Sequence, residues 1–458
     1  MQELIKNAIK EFKSLKDGVI RVISHLDSDG LTSASIILKV LKREKKKFVL
    51  SIVKQLNENI LKELSLENYK VIIFTDLGSG YVKLINNYLN DKKIFIFDHH
   101  VPDSFESYSN IIHVNPHLSN INEASSKISG SGITYLFAKN LNEKNRDLAH
   151  LAVIGSIGDI QEFNEINNEI LQDAIKEDKI EVRRGLKMFG VQTKPLHKVL
   201  QFSTDPFIPG VTGSEEGTIG FLNDLGIKIR ENDKFKKLVN LTEDELKNLT
   251  TGIILKRLGS EKNPADIFTD IYILKDEDDE SFTKDAREFS TLLNCCGRLG
   301  KPSIGIGVCL NNKNLKEKAN GLMKEYKIEL INGLNWFYDN KDRLIKGNHY
   351  IIINAQENIK DTLIGTITSI ISKANLYREN TILISMAYTV DNSIKVSMRI
   401  CNGNNNESNV DLREILKEIT KDKFEAGGHK YACGCLIPLE KEKEFINDTL
   451  EILNRKVY

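Results

Sequence analysis

The sequence predicts an α/β protein whose N-terminal part is a doubly wound parallel sheet. Short runs rich in Ile, Val and Phe recur between residues 19 and 114, and helical patterns lie between them. The runs lack the alternation of apolar and polar residues that marks a half-exposed strand, which favours strands buried on both faces of a parallel sheet. Strands that alternate with helices are typical of this fold class.

The N-terminal elements follow one another in a regular order. The first 18 residues predict an amphipathic helix that ends at Gly18, and the acids inside it argue against a signal peptide. Further helical patterns lie at Leu31–Lys45 and Tyr81–Asn90. The predicted strands are residues 19–24, 48–53, 71–74, 94–97 and 111–114.

The rest of the chain predicts a connector, a middle region and a second α/β unit. Residues 164–200 have a charged helical pattern, 203–213 have a loop pattern, and a helical run covers Asn314–Tyr338. A strand that starts at His349 opens a unit of strand, helix, two strands, helix and glycine-rich loop. The predicted domains are a catalytic domain with helical connector at 1–200, a middle region at 201–345 and a smaller C-terminal α/β domain at 346–458.

Composition limits the classes of function. A chain of 458 residues suggests two or three domains. Lys and Arg together equal Asp and Glu together at 64 each, so a basic surface for nucleic acid must be local. No apolar run approaches the ~20 residues of a membrane span, so we expect a cytoplasmic protein without a membrane partner. The six cysteines show no zinc-site spacing, and we expect reduced thiols.

Acids and histidines follow four separate apolar segments. They are His25, Asp27 and Asp29 after the first predicted strand, Asp76 after the third, Asp98, His99 and His100 after the fourth, and Asp159 after a later apolar run. The carboxyl ends of parallel strands share one edge of a sheet, and ligands bind beyond that edge. Clustered carboxylates repel one another and stay ionised together only when cations hold them.

The residue types favour a two-metal phosphohydrolase. Carboxylate and imidazole ligands without thiolate favour Mn²⁺, with Mg²⁺, Co²⁺ or Zn²⁺ as substitutes. The ligands are too numerous for one ion, whereas two ions ~3.5–4 Å apart would use them and promote in-line attack on phosphorus by a bridging hydroxide. A calcium-binding EF-hand loop is a poor alternative, since His25 stands at its first position and Ile36 at its twelfth. For a single acid such as Asp76, a turn or helix-cap role is the structural alternative.

The order of the motifs resembles the DHH phosphoesterase superfamily. The segments SHLDSDG, TDLGSG, FDHHVPD and SIGD resemble its four N-terminal motifs. VSMRI (396–400) and AGGHKYACG (426–434) resemble two motifs of the DHH-associated domain, which binds substrate in that superfamily. The middle region and NCCGRLGKP resemble archaeal RecJ-like single-strand exonucleases, relatives of bacterial RecJ and of a eukaryotic replication-fork protein. The motif resemblance covers roughly the first 160 and the last 110 residues.

This resemblance implies a role for each N-terminal motif residue. The implied ligands are His25, Asp27 and Asp76 for one cation, and Asp29, Asp76, His99 and Asp159 for the other, with Asp76 as the bridge. Asp98 would orient a neighbouring histidine, and His100 would face the scissile phosphate as a catalytic residue. Bacterial RecJ usually has an acid where this chain has His25. The histidine form belongs to archaeal and small-substrate branches, so substrate size stays open.

A second set of residues is expected to bind substrate in the C-terminal domain. Ser397 and Arg399 alternate along a predicted strand and so point to one face, and Arg399 suits bidentate phosphate binding. Gly427 and Gly428 let backbone approach a ligand closely, and His429 adds a donor. The structural alternatives are a tight turn for the glycines and a solvated strand position for Arg399.

Asn294 and Arg298 form a further candidate pair in the NCCGRLGKP segment. They are one helical turn apart, so both could face a nucleic-acid channel. The structural alternative, a surface salt bridge or a helix cap, explains them equally well.

The sequence therefore predicts a Mn-dependent phosphodiesterase or exonuclease that hydrolyses single-stranded DNA or RNA from an end, in DNA replication or repair. Replication-fork proteins such as GINS are the further expected partners. One alternative keeps the chemistry but uses short oligonucleotides, cyclic dinucleotides or 3′-phosphoadenosine phosphate. The other is a non-catalytic replication-fork scaffold, although such proteins lose metal ligands and every expected ligand is present here. The motifs do not indicate the polarity of digestion.

Overall fold

The computed structural model describes residues 1–119, 127–203, 205–261, 263–374, 376–401, 410–421, 424 and 426–455. The chain forms two compact units, Met1–Met323 and Lys324–Tyr458. None of the helices in these described ranges combines the length and the apolar character needed to cross a lipid bilayer. All six cysteines are buried, and none of them forms a disulfide bond.

The secondary structure alternates strands and helices along most of the chain. The strands are β1 (Val19–His25), β2 (Lys47–Val53), β3 (Val71–Thr75), β4 (Lys93–Phe97), β5 (Ile111–Val114), β6 (Ile180–Leu186), β7 (Arg230–Glu231), β8 (Lys234–Phe235), β9 (Phe268–Leu274), β10 (Ile345–Lys346), β11 (Tyr350–Asn354), β12 (Ile382–Tyr388), β13 (Ser393–Ile400), β14 (Ala426–His429) and β15 (Ala432–Pro438). The α-helices are α1 (Gln2–Lys13), α2 (Ser28–Arg43), α3 (Glu58–Leu66), α4 (Val82–Tyr88), α5 (Gly130–Leu141), α6 (Ala149–Gly158), α7 (Glu165–Lys176), α8 (Leu196–Gln201), α9 (Glu215–Asp224), α10 (Glu243–Arg257), α11 (Ala286–Arg298), α12 (Pro302–Cys309), α13 (Lys313–Asp339), α14 (Asp361–Lys373), α15 (Leu412–Thr420) and α16 (Glu442–Arg455).

The first unit contains the predicted doubly wound parallel sheet, and this fold class is confirmed. Its five strands are all parallel and run in the order β2-β1-β3-β4-β5. The chain passes from β1 outward to β2 and then crosses back to β3 on the other side of β1. The order of strands therefore reverses between β1 and β3, and a sheet of this kind binds its ligand in the crevice at that point.

Apolar side chains cover both faces of this sheet. On one face, Ile23, Phe74 and Ile96 pack with buried residues of α3 and α4. On the other face, Phe97 contacts Phe137 of α5 with ring centroids 4.7 Å apart. Burial on both faces explains why the strands read as continuous apolar runs. It also fixes the positions of the strand ends, where the polar motifs begin.

The predicted continuous helical pattern at residues 164–200 is wrong between α7 and α8. There the chain forms β6, which pairs antiparallel with β9 in a two-stranded ribbon. Two strands alone leave much of β6 in solvent, and its Glu181, Arg183 and Arg184 are accordingly polar. This run of charged residues is the reason that the sequence resembled an exposed helix.

The segment between β6 and β9 has an apolar core of its own. Leu200, Phe221 and Ile253, from α8, α9 and α10, belong to one buried cluster that extends from residue 186 to residue 267. The segment is therefore an inserted subdomain whose two ends meet at the base of the ribbon, where Leu186 pairs with Phe268.

The second unit contains the predicted C-terminal α/β domain and begins earlier than predicted, at Lys324 within α13. Its six-stranded sheet runs β10-β11-β12-β13-β15-β14, and only β11 and β12 are parallel. Helices α15 and α16 contribute Leu416 and Phe445 to a core shared with Val396 and Met398 of β13. The glycine-rich segment expected as a loop is instead the edge strand β14, in which Gly427 pairs with Gly434.

Candidate metal centre

The predicted metal-binding residues meet at the carboxyl edge of the parallel sheet, at the point where strand order reverses. His25 is the last residue of β1, Asp76 follows β3, and Asp98 to His100 follow β4. Parallel strands of nearly equal length end side by side, so their polar termini converge without any long-range loop.

Two helices supply the remaining acids. Asp27 is the N-cap residue of α2, and its side chain accepts a hydrogen bond from the N–H of Gly30 at 3.0 Å. Asp29 lies in the first turn of α2 and is buried. Asp159 follows α6 at its C-terminal cap, so this acid reaches the site from a helix rather than from a strand.

Three overlapping side-chain sets among the described residues could hold a metal ion, and the first contains His25, Asp27 and Asp76. Each offers one ligand atom, and these atoms lie within 4.8 Å of one another. His25 Nδ1 is 3.0 Å from Asp27 Oδ2 and 3.5 Å from Asp76 Oδ2. This set matches the ligands implied for the first cation.

The second set contains Asp29, Asp76, His99 and Asp159, again with ligand atoms within 4.8 Å of one another. His99 Nε2 is 3.2 Å from Asp159 Oδ2 and 3.5 Å from Asp76 Oδ1. Asp76 belongs to both of these sets and to the third, and it turns a different oxygen toward His25 and His99. The third set contains Asp76, Asp98, His99 and His100, so the structure brings together all seven side chains that the sequence implied as metal ligands or as their orienting carboxylate.

Asp76 provides the test of whether this cluster fits a cation. Its side chain is 2% exposed, and neither carboxylate oxygen has a hydrogen-bond partner among the described residues. Burial, and after it the neighbouring Asp29 and Asp27, raise the pKa of Asp76 well above its ordinary value. A buried carboxylate without donors is costly unless a cation neutralises it. The ligand atoms are oxygen and imidazole nitrogen without thiolate, which fits Mn²⁺ or Mg²⁺.

The N-terminus of α5 holds Asp29 in place. The N–H of Gly130 donates to Asp29 Oδ2 at 2.6 Å, and the N–H of Ser131 donates to Asp29 Oδ1 at 3.0 Å. A Cβ on Gly130 would lie 2.8 Å from Asp76 Oδ1, so only glycine permits this close approach. The helix terminus also favours negative charge at this position.

Asp98 is fully buried and orients His100. It accepts hydrogen bonds from the N–H groups of Ser79 and His99, both at 2.8 Å, and lies 2.7 Å from His100 Nδ1. Burial alone would raise the pKa of Asp98, but His100 and His99 together with the Ser79 N–H hold it below its ordinary value. The His100 side chain is 46% exposed, and its Nε2 is the nitrogen that the Asp98 contact leaves available.

Three further polar residues lie beside Asp98, His99 and His100, and the sequence analysis did not identify them. Asn115 Nδ2 donates to Ser79 Oγ and to the carbonyl oxygen of His100, both at 2.8 Å. Ser79 Oγ also lies 2.8 Å from His113 Nε2. These contacts hold the carbonyl group of His100 and the side chain of Ser79, whose N–H binds Asp98. Two of the three residues could have been recognised from the sequence, because His113 is a polar residue within the apolar strand β5 and Asn115 directly follows that strand.

The structure places Asn294 against the loop that carries Asp27 and Asp29. Asn294 Oδ1 accepts a hydrogen bond from the N–H of Ser28 at 3.0 Å. Arg298 lies one turn further along α11 and is half-buried. Contact of this pair with nucleic acid remains a prediction.

In the second unit, Ser397 and Arg399 share one face of β13, as predicted. Both lie close to Gly365 of α14, and Arg399 Nε donates to Ser369 Oγ at 2.9 Å. Across the sheet, Ser397 pairs with Gly434, which in turn pairs with Gly427.

Gly428 pairs with Cys433, and the backbone of His429 pairs with Ala432. The His429 side chain lies outside the described part of the chain. Substrate binding by Ser397, Arg399, Gly427, Gly428 and His429 remains a prediction.

Three family models match successive parts of the chain. They are the N-terminal domain of the DHH family at residues 19–156, the DHH-CID domain at 188–268 and the DHHA1 domain at 348–455. An uncharacterized protein of Methanocaldococcus jannaschii is 31% identical over 476 residues, which is 100% of both chains.

Solved structures share the fold at low sequence identity. RecJ from Thermus thermophilus in complex with Mn²⁺ is 16% identical with a TM-score of 0.59, and the match covers 99% of this chain but 54% of that one. The present chain thus spans about half the length of that RecJ. Exonuclease RecJ bound to manganese is 15% identical with a TM-score of 0.59, covering 99% and 95% of the two chains. CDC45 from Entamoeba histolytica is 11% identical with a TM-score of 0.63, covering 99% and 98%.

Proposed function

The chain belongs to the DHH superfamily and has a RecJ-like architecture, and on that premise we propose that it is a metal-dependent exonuclease for single-stranded DNA or RNA. The observation that carries this proposal is the position of Asp76. This buried carboxylate is common to all three candidate ligand sets, and neither of its oxygens has a hydrogen-bond partner in the described ranges. A pair of cations that share Asp76 would remove the cost of burying it.

The residues divide into ligands and groups that act on the substrate. His25, Asp27 and Asp76 would hold one cation, and Asp29, His99 and Asp159 would hold the other together with Asp76. Two bound cations supply a nucleophile at neutral pH and stabilise charge on the phosphoryl oxygens. The proposed ions are Mn²⁺, with Mg²⁺ or Co²⁺ as substitutes, because the ligand atoms are oxygen and imidazole nitrogen.

His100 would act on the scissile phosphate through Nε2. Asp98 holds the other ring nitrogen and stabilises the protonated imidazole. Burial alone would lower the pKa of His100, but the negative charge of Asp98 raises it above its ordinary value. A protonated Nε2 can donate to a phosphoryl oxygen as charge develops there.

Substrate phosphates would bind in the second unit, to Ser397 and Arg399 of β13 and to the glycine-rich strand β14. The guanidinium of Arg399 is held by Ser369 Oγ and by the carbonyl oxygen of Met398, at 2.9 and 2.7 Å. A side chain held in this way loses little entropy when it binds an anion.

The test uses single strands of DNA and of RNA, labelled at the 5′ or the 3′ end, incubated with the full chain and Mn²⁺. We expect mononucleotides or a ladder that shortens from one end, and the label that is released first gives the polarity. Asp76→Asn should abolish release, whereas Asp224→Asn, at an exposed position on α9, should not. Absence of release from all four substrates, with a folded protein that binds Mn²⁺, would refute the exonuclease proposal. Rates on a dinucleotide and on a ~20-mer, compared as kcat/KM, would separate short from long substrates.

We propose further that the inserted subdomain binds a replication-fork protein such as GINS. It exposes large apolar side chains, with Phe202 63%, Leu255 60% and Leu258 58% exposed. Such groups are typical of protein interfaces. Purified GINS should associate with the wild-type chain and lose affinity for the Leu255→Asp variant. Association without any nuclease activity would favour the non-catalytic scaffold.

A further inference from the structure

Ser28 stands between the two acids of the loop that begins α2. Asp27 belongs to one candidate cation set and Asp29 to another. A displacement of the Ser28 backbone therefore moves ligands of both sets at once. Ser28 itself is buried.

Asn294 of α11 fixes the position of Ser28. Its Oδ1 accepts the hydrogen bond of the Ser28 N–H at 3.0 Å, although the two residues are 266 positions apart in sequence. This N–H is one of the first of α2 and has no acceptor within the helix itself. Without Asn294, a buried donor would lose its partner, and the loop would have to move to satisfy it.

Gly297 brings α11 unusually close to the same loop. A Cβ on Gly297 would lie 1.7 Å from the carbonyl oxygen of Leu26, and Gly297 is buried. Gly158 at the end of α6 is similarly close to Ser28, since its Cβ would lie 2.8 Å from Ser28 Cβ. The loop is thus enclosed by backbone on two sides, which leaves it little freedom to shift.

We propose that Asn294 is a positioning residue for the two cations, acting through its Oδ1 on Ser28, and that Gly297 allows the helix approach this requires. This inference rests on the proposed function, because it needs cations at both ligand sets. It differs from the role expected for Asn294 in a nucleic-acid channel, which would use the amide N–H groups of the side chain to contact substrate.

The test compares Asn294→Ala and Asn294→Asp in the full chain. Mn²⁺ affinity is measured by calorimetric titration without nucleic acid, and affinity for a ~20-mer single strand is measured by fluorescence anisotropy without metal. Loss of a hydrogen-bond partner that orients a ligand typically lowers metal affinity about 10–100-fold, and we expect this of Asn294→Ala, with unchanged oligonucleotide affinity. Asn294→Asp keeps an acceptor for the Ser28 N–H but lacks the amide donors, so its Mn²⁺ affinity should equal or exceed that of the wild type. Thr291→Ala is the control, because Thr291 Oγ1 donates to the carbonyl oxygen of Arg287 in its own helix.

The outcomes separate the two roles. Unchanged Mn²⁺ affinity in Asn294→Ala, or equally weakened Mn²⁺ affinity in both Asn294 variants, would overturn the inference while leaving the proposed function intact. Wild-type protein that binds no Mn²⁺ would overturn the proposed function and this inference with it. If Asn294→Ala does not fold, Asn294→Asp decides alone: retained Mn²⁺ affinity with unchanged oligonucleotide affinity supports the positioning role, and weakened oligonucleotide affinity overturns it.

Discussion

Replacement of Gly130 by alanine should disturb the candidate metal centre through sterics alone. The new Cβ would lie 2.8 Å from both Cβ and Oδ1 of Asp76, and 2.9 Å from its Cα. Ordinary van der Waals contact begins near 3.4 Å, so the N-terminus of α5 must retreat by several tenths of an ångström. That movement lengthens the 2.6 Å hydrogen bond from the Gly130 N–H to Asp29.

The Gly130→Ala substitution should change both the free energy of unfolding and the affinity for Mn²⁺. Overpacking in a well-filled interior costs about 1–3 kcal/mol, so the free energy of unfolding of the first unit should fall by that amount. Functional constellations tolerate displacements of only about 0.5 Å, and the displaced Asp29 should therefore lower Mn²⁺ affinity about 10–100-fold.

The assay is a calorimetric Mn²⁺ titration of Gly130→Ala, together with denaturant unfolding in the absence of metal. Gly80→Ala is the matched control, because a Cβ on Gly80 would meet nothing within 4 Å although its neighbour Ser79 contacts Asp98. A Gly130→Ala variant with wild-type Mn²⁺ affinity would show that Asp29 does not depend on the α5 terminus, and would refute this reasoning.

Two further predictions concern His100 and Glu288. His100→Ala should lower nucleotide release about 10²–10⁴-fold while the protein still binds Mn²⁺, because a proton donor is lost but no ligand is; loss of Mn²⁺ binding would instead make His100 a ligand. Glu288 of α11 is buried, and burial raises its pKa to about 7, so the folded state holds a proton that the unfolded state releases at lower pH. The free energy of unfolding should therefore fall as pH rises from about 4.5 through 7, by up to about 3 kcal/mol, and this slope should be smaller in Glu288→Gln. Equal pH slopes of the two proteins in denaturant titrations would exclude Glu288 as the source.

Sequence patterns predicted the parallel sheet and the convergence of its polar ends for a simple physical reason. Strands buried on both faces must be apolar throughout, so β1, β3 and β4 are recognisable, and His25, Asp76 and Asp98 follow directly where burial stops. Strand parallelism then places these residues at one edge without further information.

Features that depend on distant partners could not be predicted in this way. Asn294 is 266 positions from Ser28, and nothing in its own neighbourhood indicates that its acceptor faces a loop rather than a ligand. Strand β6 was missed because a ribbon exposed to solvent carries charged residues, which periodicity cannot distinguish from an exposed helix. Strand β14 was missed because glycine has low strand propensity, and only its pairing with β15 makes it extended.

The ribbon of β6 and β9 should allow the inserted subdomain to be removed or replaced, because both ends of the insertion lie at one end of the ribbon. Leu186 and Phe268 are register partners, so the chain leaves and re-enters the rest of the first unit at adjacent points. A two-residue Asn-Gly turn in place of residues 187–267 would close the ribbon as an ordinary hairpin without rerouting the backbone. The N–H of Gln192 and the hydroxyl of Thr193 are bound to Glu288, so an excised chain would need a shorter apolar residue at position 288. Other subdomains could thus be joined to the same parallel-sheet unit at these two points, once the contact with Glu288 is replaced.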